Sequence, residues 1–304
     1  MTARTDTEIY RPFRGKLRAS APAFLALARI GIAAAARKKL PLVILYTPPA
    51  IATVIFSFVV YLRFALQAGE TPAALGEAPS PAVLIAGGLA RTLIKVREQI
   101  VLFHIAMSVF TLLVIAWFGA GSIAEDRRAG AHLLYFARPL TRAGYLAGRF
   151  LALTFYALIV VLVPGLVICT IATFASPNWS FLKEEGEVVP QTILFSLLWA
   201  GVWSSVMLAI SSLATRKTFA LVAAFGLVML SGAVSLLLAN MLGDDRWLML
   251  SLSGNFQRVA AWVFDMPEVA FESDVRGAFA VLAGVTVVSW LVLVARVRRM
   301  EAAA

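Results

Sequence analysis

Six stretches of this sequence run for about 20 residues or more almost without charge: Leu40–Leu62, Ile100–Ser122, Phe150–Phe174, Val189–Ala214, Thr218–Leu242 and Gly277–Ala295. A bilayer core about 30 Å thick takes about 20 apolar residues of α-helix, so each stretch predicts a membrane-spanning helix. Apart from His104, their only ionisable side chains are tyrosines and Cys169. The first run begins only near Leu40 and is longer than the apolar core of a signal peptide. It therefore reads as a retained span.

Three further segments carry helical patterns of a different kind. Over residues 20–39, Arg18, Arg29 and Arg37 fall within roughly a 100° sector, and Phe24, Leu25 and Leu27 supply apolar surface. This pattern predicts an amphipathic helix lying on the membrane, the alternative being a basic stop ahead of the span that Pro41 opens. Residues 82–98 have one stripe of Ile85, Leu89, Leu93 and Val96 and another of Arg91, Lys95 and Glu98, following the turn-rich Gly69 to Pro81. Residues 243–276 are too long for a plain loop and predict short helices at the outer membrane face, with Trp247 and Trp262 suited to the headgroup level.

Composition agrees with a membrane protein. Of the 304 residues, 61% are hydrophobic and 14% charged, against about 45–50% and about 25% in soluble domains. The net charge of +10 does not point to nucleic acid, because the basic residues flank the spans instead of forming one patch. A single cysteine excludes an intramolecular disulfide and a multi-cysteine metal site. Residues 1–39, 123–149, 215–217 and 296–304 hold 19 of the Lys and Arg residues, while residues 63–99, 175–188 and 243–276 hold 8. By the positive-inside rule the first group faces the cytoplasm, which places both termini there. The expected organisation is a cytoplasmic N-terminus over residues 1–39, a six-span domain over 40–295 and a cytoplasmic tail over 296–304.

The most informative segment lies between spans two and three. An acidic-basic cluster, Glu125, Asp126, Arg127 and Arg128, is followed by Gly130, the apolar Leu133, Leu134 and Phe136, then Arg138, Pro139, Leu140, Thr141 and Arg142, with Gly148-Arg149 at the next span. Gly130 and Pro139 punctuate a short helix of about two turns, and Thr141 is placed to cap the helix after it. A short rigid helix pinned between two spans can receive force from a soluble partner; the plainer reading is a basic inside loop.

This segment resembles the coupling region of type-2 ABC exporter permeases, whose pattern is the charged cluster, Gly, an apolar helix, a Pro-[Leu/Val]-[Ser/Thr]-Arg turn and a following Gly-[Lys/Arg]. The resemblance extends over nearly the full length and implies an all-α membrane fold with six transmembrane helices, an N-terminal amphipathic interfacial helix, a short cytoplasmic coupling helix and short outer helices between spans five and six. It implies two permease chains, identical or related, with two copies of a separate ABC ATPase, ATP and Mg being held by that partner. It also implies residence in a bacterial or archaeal cytoplasmic membrane. No Gly-x-x-x-x-Gly-Lys-[Ser/Thr] occurs in the sequence, so no phosphate-cradling loop of that kind is present in the chain itself.

Candidates for contact with cargo are few. His104 is the lone histidine in a span, and intramembrane ionisable residues are functional candidates by default. Trp199 and Trp203, four apart in span four, share a face, while the many serines of spans four and five fit close helix packing. An ion-coupled secondary transporter typically places carboxylates or broken helices at mid-membrane; no Asp, Glu, Lys or Arg lies inside these six stretches. An intramembrane enzyme needs a base or ligand cluster, which two histidines on different elements do not supply. The reading favoured is the permease of an ATP-driven exporter, itself not an enzyme, with its cargo unspecified.

Overall fold

In hydrocarbon the backbone has no water to bond to, so a spanning segment must satisfy its own N–H and C=O groups, and an apolar run of span length folds as a helix. The computed structural model describes residues 22–37, 39–67, 95–131, 140–266 and 275–302. Its helices are α1 (Ala23–Ala36), α2 (Lys39–Gln67), α3 (Val96–Gly119), α4 (Ala124–Arg128), α5 (Arg142–Ala175), α6 (Ser180–Glu184), α7 (Val188–Leu213), α8 (Lys217–Leu242), α9 (Leu252–Val263) and α10 (Val275–Ala302). Short 3-10 turns occupy Pro177–Trp179 and Asp245–Leu250, and no strand occurs among the described residues. Six helices, α2, α3, α5, α7, α8 and α10, are long and apolar enough to cross a membrane. The stretch 82–94 and the helix expected between Gly130 and Pro139 lie outside the described residues.

The helices outrun the apolar stretches that announce them. The third spanning helix begins at Arg142, not Phe150, because Thr141 caps it: its hydroxyl oxygen accepts the Gly144 N–H at 3.0 Å. With 34 residues α5 is about 51 Å long, well beyond a core of about 30 Å. Its charged residues, Arg142 and Arg149, lie in the first turns, ahead of the apolar stretch that begins at Phe150.

Burial divides the six spans into two groups. Over their most apolar windows, α3, α5 and α7 are 56%, 56% and 61% buried, against 22%, 17% and 22% for α2, α8 and α10. The first three form the centre. The second three expose apolar side chains such as Val54, Phe219, Val222, Leu230 and Leu291, a surface suited to lipid or another subunit.

Helix α1 is seated on the base of α5. A Cβ at Gly148 would stand 2.8 Å from the Phe24 carbonyl oxygen and 3.0 Å from Leu27 Cβ, so only glycine permits this approach. Tyr156 of α5 donates to the Ile32 carbonyl of α1, and Tyr46 of α2 donates to the Tyr156 carbonyl at 3.0 Å. Gly148→Val is therefore expected to lift α1 and lower stability by about 1–3 kcal/mol, the usual cost of overpacking. Thermal unfolding in detergent checks this; an unchanged transition would mean that α1 is not seated there.

The opposite end of the bundle is tied by charge. Arg63 of α2 pairs with Glu185 at 4.0 Å, the Arg97 backbone N–H donates to the same carboxylate at 3.2 Å, and the Arg97 guanidinium meets Asp265 at 3.4 Å. The short helices expected over 243–276 are present in the described part. Helix α9 starts at Leu252, where the Ser251 hydroxyl oxygen accepts the Gly254 N–H at 3.1 Å. Its Arg258 is fully buried and donates to Asn255 Oδ1 at 3.1 Å. Burial pulls the Arg258 pKa below the ordinary arginine value, and nearby Asp245 works in the other direction. Trp262 is well exposed and Trp247 partly so.

Candidate functional site

After Gly119 the chain turns and forms α4, an elbow of five residues between spans two and three. A helix leaves its first N–H groups without intrahelical partners, and Ile123, at the N-cap position, supplies no side-chain cap. The cap comes instead from span four. Ser211 Oγ accepts the N–H groups of Ile123 at 3.1 Å and Ala124 at 3.2 Å, and donates to the Ala120 carbonyl at 2.8 Å. The exchange is reciprocal. The Arg127 guanidinium donates to the Ser212 carbonyl at 2.9 Å and to the Ala214 carbonyl, satisfying carbonyls at the end of α7. A cation at a helix C-terminus is also favoured by the helix dipole.

Asp126 faces the other way, toward span three. Its carboxylate forms an ion pair with Arg149 and accepts the Tyr145 hydroxyl at 2.8 Å. Both members of the ion pair are largely shielded, 15% and 14% exposed. The Arg149 guanidinium also lies over the Tyr145 ring, 5.7 Å from its centroid. One short helix is thus fastened to α7 by Arg127 and to α5 by Asp126. A displacement of α4 cannot leave either span in place without breaking charged or buried hydrogen bonds.

The remaining elbow residues are placed as follows. Arg128 and Glu125 are exposed, Glu125 folding back over Gly121. Gly130 has φ +66°, a left-handed conformation that ends the helical path. Thr141 is the N-cap of α5, and Arg142 is exposed in the first turn. Leu133, Leu134, Phe136, Arg138 and Pro139 lie outside the described residues. On the α1 side, a cavity of about 200 Å³ adjoins the Asp126–Arg149 pair, lined among others by Gly31, Trp117, Phe118 and Tyr156.

His104, Trp199 and Trp203 are brought together in the interior. His104 Nδ1 lies 2.8 Å from the Ile100 carbonyl, which can only accept, so Nδ1 carries the hydrogen. Its Nε2 lies 3.2 Å from Ser196 Oγ of α7. Phe195 links the groups, 5.2 Å from His104 and 5.8 Å from Trp199, centroid to centroid. Phe256 of α9 packs on both tryptophans at 4.3 and 5.7 Å. All three candidates are buried, and the indole N–H groups of Trp199 and Trp203 have no hydrogen-bond partner among the described residues. Among those residues no group of three or more His, Cys, Asp or Glu could hold a metal ion.

A six-span bundle with this elbow is the setting in which the sequence matches the ABC-2 family transporter protein over residues 32–246. The chain belongs to the ABC-2 transporter family. Among curated proteins, none matches it. The matched region takes in α2 through α8, including the whole elbow and both of its anchoring spans. An ABC-2 chain is the multi-pass membrane component, the permease, of an ABC transporter; it is not itself the catalytic subunit, and such systems work with an ABC ATPase. In this permease the residues that fasten the elbow include three that sequence patterns do not single out. Ser211 reads as one more small packing residue, Tyr145 as part of an entering helix, and Ser212 offers only its backbone.

Proposed function

We propose that the chain is the permease of an exporter in the cytoplasmic membrane, driven by a separate ATPase that docks on residues 125–142. The observation that supports this reading is the double anchorage of α4. A soluble subunit that grips the segment after α4 would act through Arg127 on span four and through Asp126 and Arg149 on span three. The charge asymmetry of the loops supports placing this end, and both termini, in the cytoplasm. Leu133, Leu134 and Phe136 are the apolar residues for the docking pocket, with Glu125, Arg128, Arg138 and Arg142 as rim charges. Rim charges steer and orient a complex, while buried apolar anchors carry most of its energy.

A second permease chain, identical or related, would pair with this one, and the broad apolar faces of α2, α8 and α10 leave room for it beside lipid. Trp199, Trp203 and His104 are the candidates for contact with cargo; each tryptophan holds a buried N–H donor without a partner among the described residues. The six apolar stretches, which hold no Asp, Glu, Lys or Arg, suit an amphipathic cargo better than a bare ion.

The test is to co-express the chain with its cognate ATPase and weigh the complex by native mass spectrometry. Two permeases with two ATPase chains are expected, with ATP and Mg on the ATPase. Phe136→Ala is expected to weaken ATPase binding by more than about 1 kcal/mol, as for an interface anchor, and Arg142→Glu mainly to slow assembly and make it more salt-sensitive. Normal binding by Phe136→Ala and by the Leu133→Ala/Leu134→Ala double variant would reduce the segment to a solvated loop.

A further inference from the structure

A second feature at the elbow end lies beside the Asp126, Arg127 and Ser211 contacts that fasten α4. Between the base of α3, helix α4 and the first turns of α8 lies a groove of about 490 Å³. Its polar wall holds Arg128, Arg216 and Lys217 with the hydroxyls of Thr215 and Thr218, and its apolar wall holds Trp117 and Leu221. One carboxylate, that of Glu125, also lines it, but the side chain is folded back: a Cβ at Gly121 would stand 2.6 Å from Glu125 Cδ. Lys217 Nζ is held over the Trp117 ring, 4.3 Å from its centroid, so the positive charge and the apolar wall meet at one place. Arg216 is the N-cap residue of α8 and provides no side-chain cap, so the first N–H groups of that helix add partial positive charge to the same spot.

A pocket with three cations, two hydroxyls and an aromatic-aliphatic wall fits a phosphate group attached to something apolar. Leu213, Phe219 and Val222, on the ends of α7 and α8 nearest the groove, are exposed apolar side chains of spanning helices. We propose that this groove binds the phosphate of a membrane phospholipid, Arg216 and Lys217 holding the phosphate from α8 and Arg128 from α4, with the lipid's apolar part against Trp117 and Leu221. The phosphate then bridges the elbow to α8, the span least buried by its own chain at 17%. The groove shares Arg128 and Glu125 with the rim proposed for ATPase docking, so the test uses the permease alone and varies Arg216 and Lys217, which belong to the groove and not to that rim.

The experiment titrates the full chain in detergent with phosphatidylglycerol, with diacylglycerol and with inorganic phosphate, reading bound adducts by native mass spectrometry. Phosphatidylglycerol is expected to bind and diacylglycerol not. Arg216→Gln/Lys217→Gln should weaken phosphatidylglycerol binding by about ten-fold or more, each basic residue beside an anionic lipid contributing roughly five-fold. Arg298→Gln/Arg299→Gln removes the same charge from the exposed end of α10 and should leave binding unchanged. Should the first double variant not purify, Arg216→Gln alone is expected to show roughly a five-fold loss. Four results overturn the proposal: unchanged phosphatidylglycerol binding in Arg216→Gln/Lys217→Gln, equal binding of diacylglycerol, an equal loss in Arg298→Gln/Arg299→Gln, or displacement of the lipid by millimolar inorganic phosphate, which would make the groove a site for a soluble anion.

Discussion

Changing Asp126 to asparagine is expected to lower the unfolding temperature and to cut transport sharply. The carboxylate joins α4 to α5 through Arg149 and Tyr145. An exposed ion pair would be worth little, about 0–1 kcal/mol. This one is shielded on both sides, at 15% and 14% exposure, and removing one partner of a shielded pair leaves the other charge poorly compensated. The expected cost is about 2–4 kcal/mol, somewhat below that of a fully buried pair. Exchanging the two residues, Asp126→Arg with Arg149→Asp, should recover part of the loss, which neither single change does. Thermal unfolding in detergent and transport in reconstituted vesicles are the two readouts. A shift within about 0.5 kcal/mol for Asp126→Asn, the range of an ordinary surface change, would show that the pair fastens nothing.

The second large effect belongs to Ser211. Its hydroxyl serves two N–H groups and one carbonyl of the elbow, all buried. Alanine leaves those groups without the partner they have, and an unsatisfied buried group costs about 1–3 kcal/mol. A loss of about 2–4 kcal/mol is expected for Ser211→Ala, with Ser211→Thr, which keeps the hydroxyl, closer to the original. In the assembled transporter Ser211→Ala should let ATP hydrolysis continue while transport falls, because span four would then follow α4 through Arg127 alone. Parallel loss of both activities, or of neither, would place Ser211 outside the coupling path. The two variants address different ties: Asp126→Asn weakens the hold of α4 on span three, and Ser211→Ala its hold on span four, where Arg127 remains as the second contact.

How far these features can be read from the sequence depends on distance along the chain. Apolar runs of about 20 residues are unambiguous, so all six spans are legible. The extra turns of α5 before Phe150 are not apolar and look like loop; only Thr141, as a capping residue, signals where that helix starts. Gly148 shows in the sequence as part of a motif, but its physical reason, the crossing of α1 against α5, needs the fold. The elbow's anchors are the least legible. Ser211 and Ile123 are 88 positions apart, and a serine in an apolar helix is usually explained by close packing alone. Asp126 and Arg149 are nearer in sequence, yet each sits among other charges, and only the geometry selects that pair. The tryptophans behave in the opposite way: their shared face is plain from the four-residue spacing, whereas the packing of Phe256 against that face is set by α9, an element outside the spans.

The central claim is that the ATPase grips the end of the bundle that carries α4. A photo-crosslinking side chain placed at Ala129, exposed just after α4, tests it directly against the same group at Glu184, exposed in α6 at the opposite end. Neither position is used by the contacts that hold the elbow. In membranes from cells expressing the full transporter, illumination is expected to join the ATPase to the Ala129 variant and not to the Glu184 variant. Crosslinking at Glu184, or at neither position while transport remains intact, would contradict the claim.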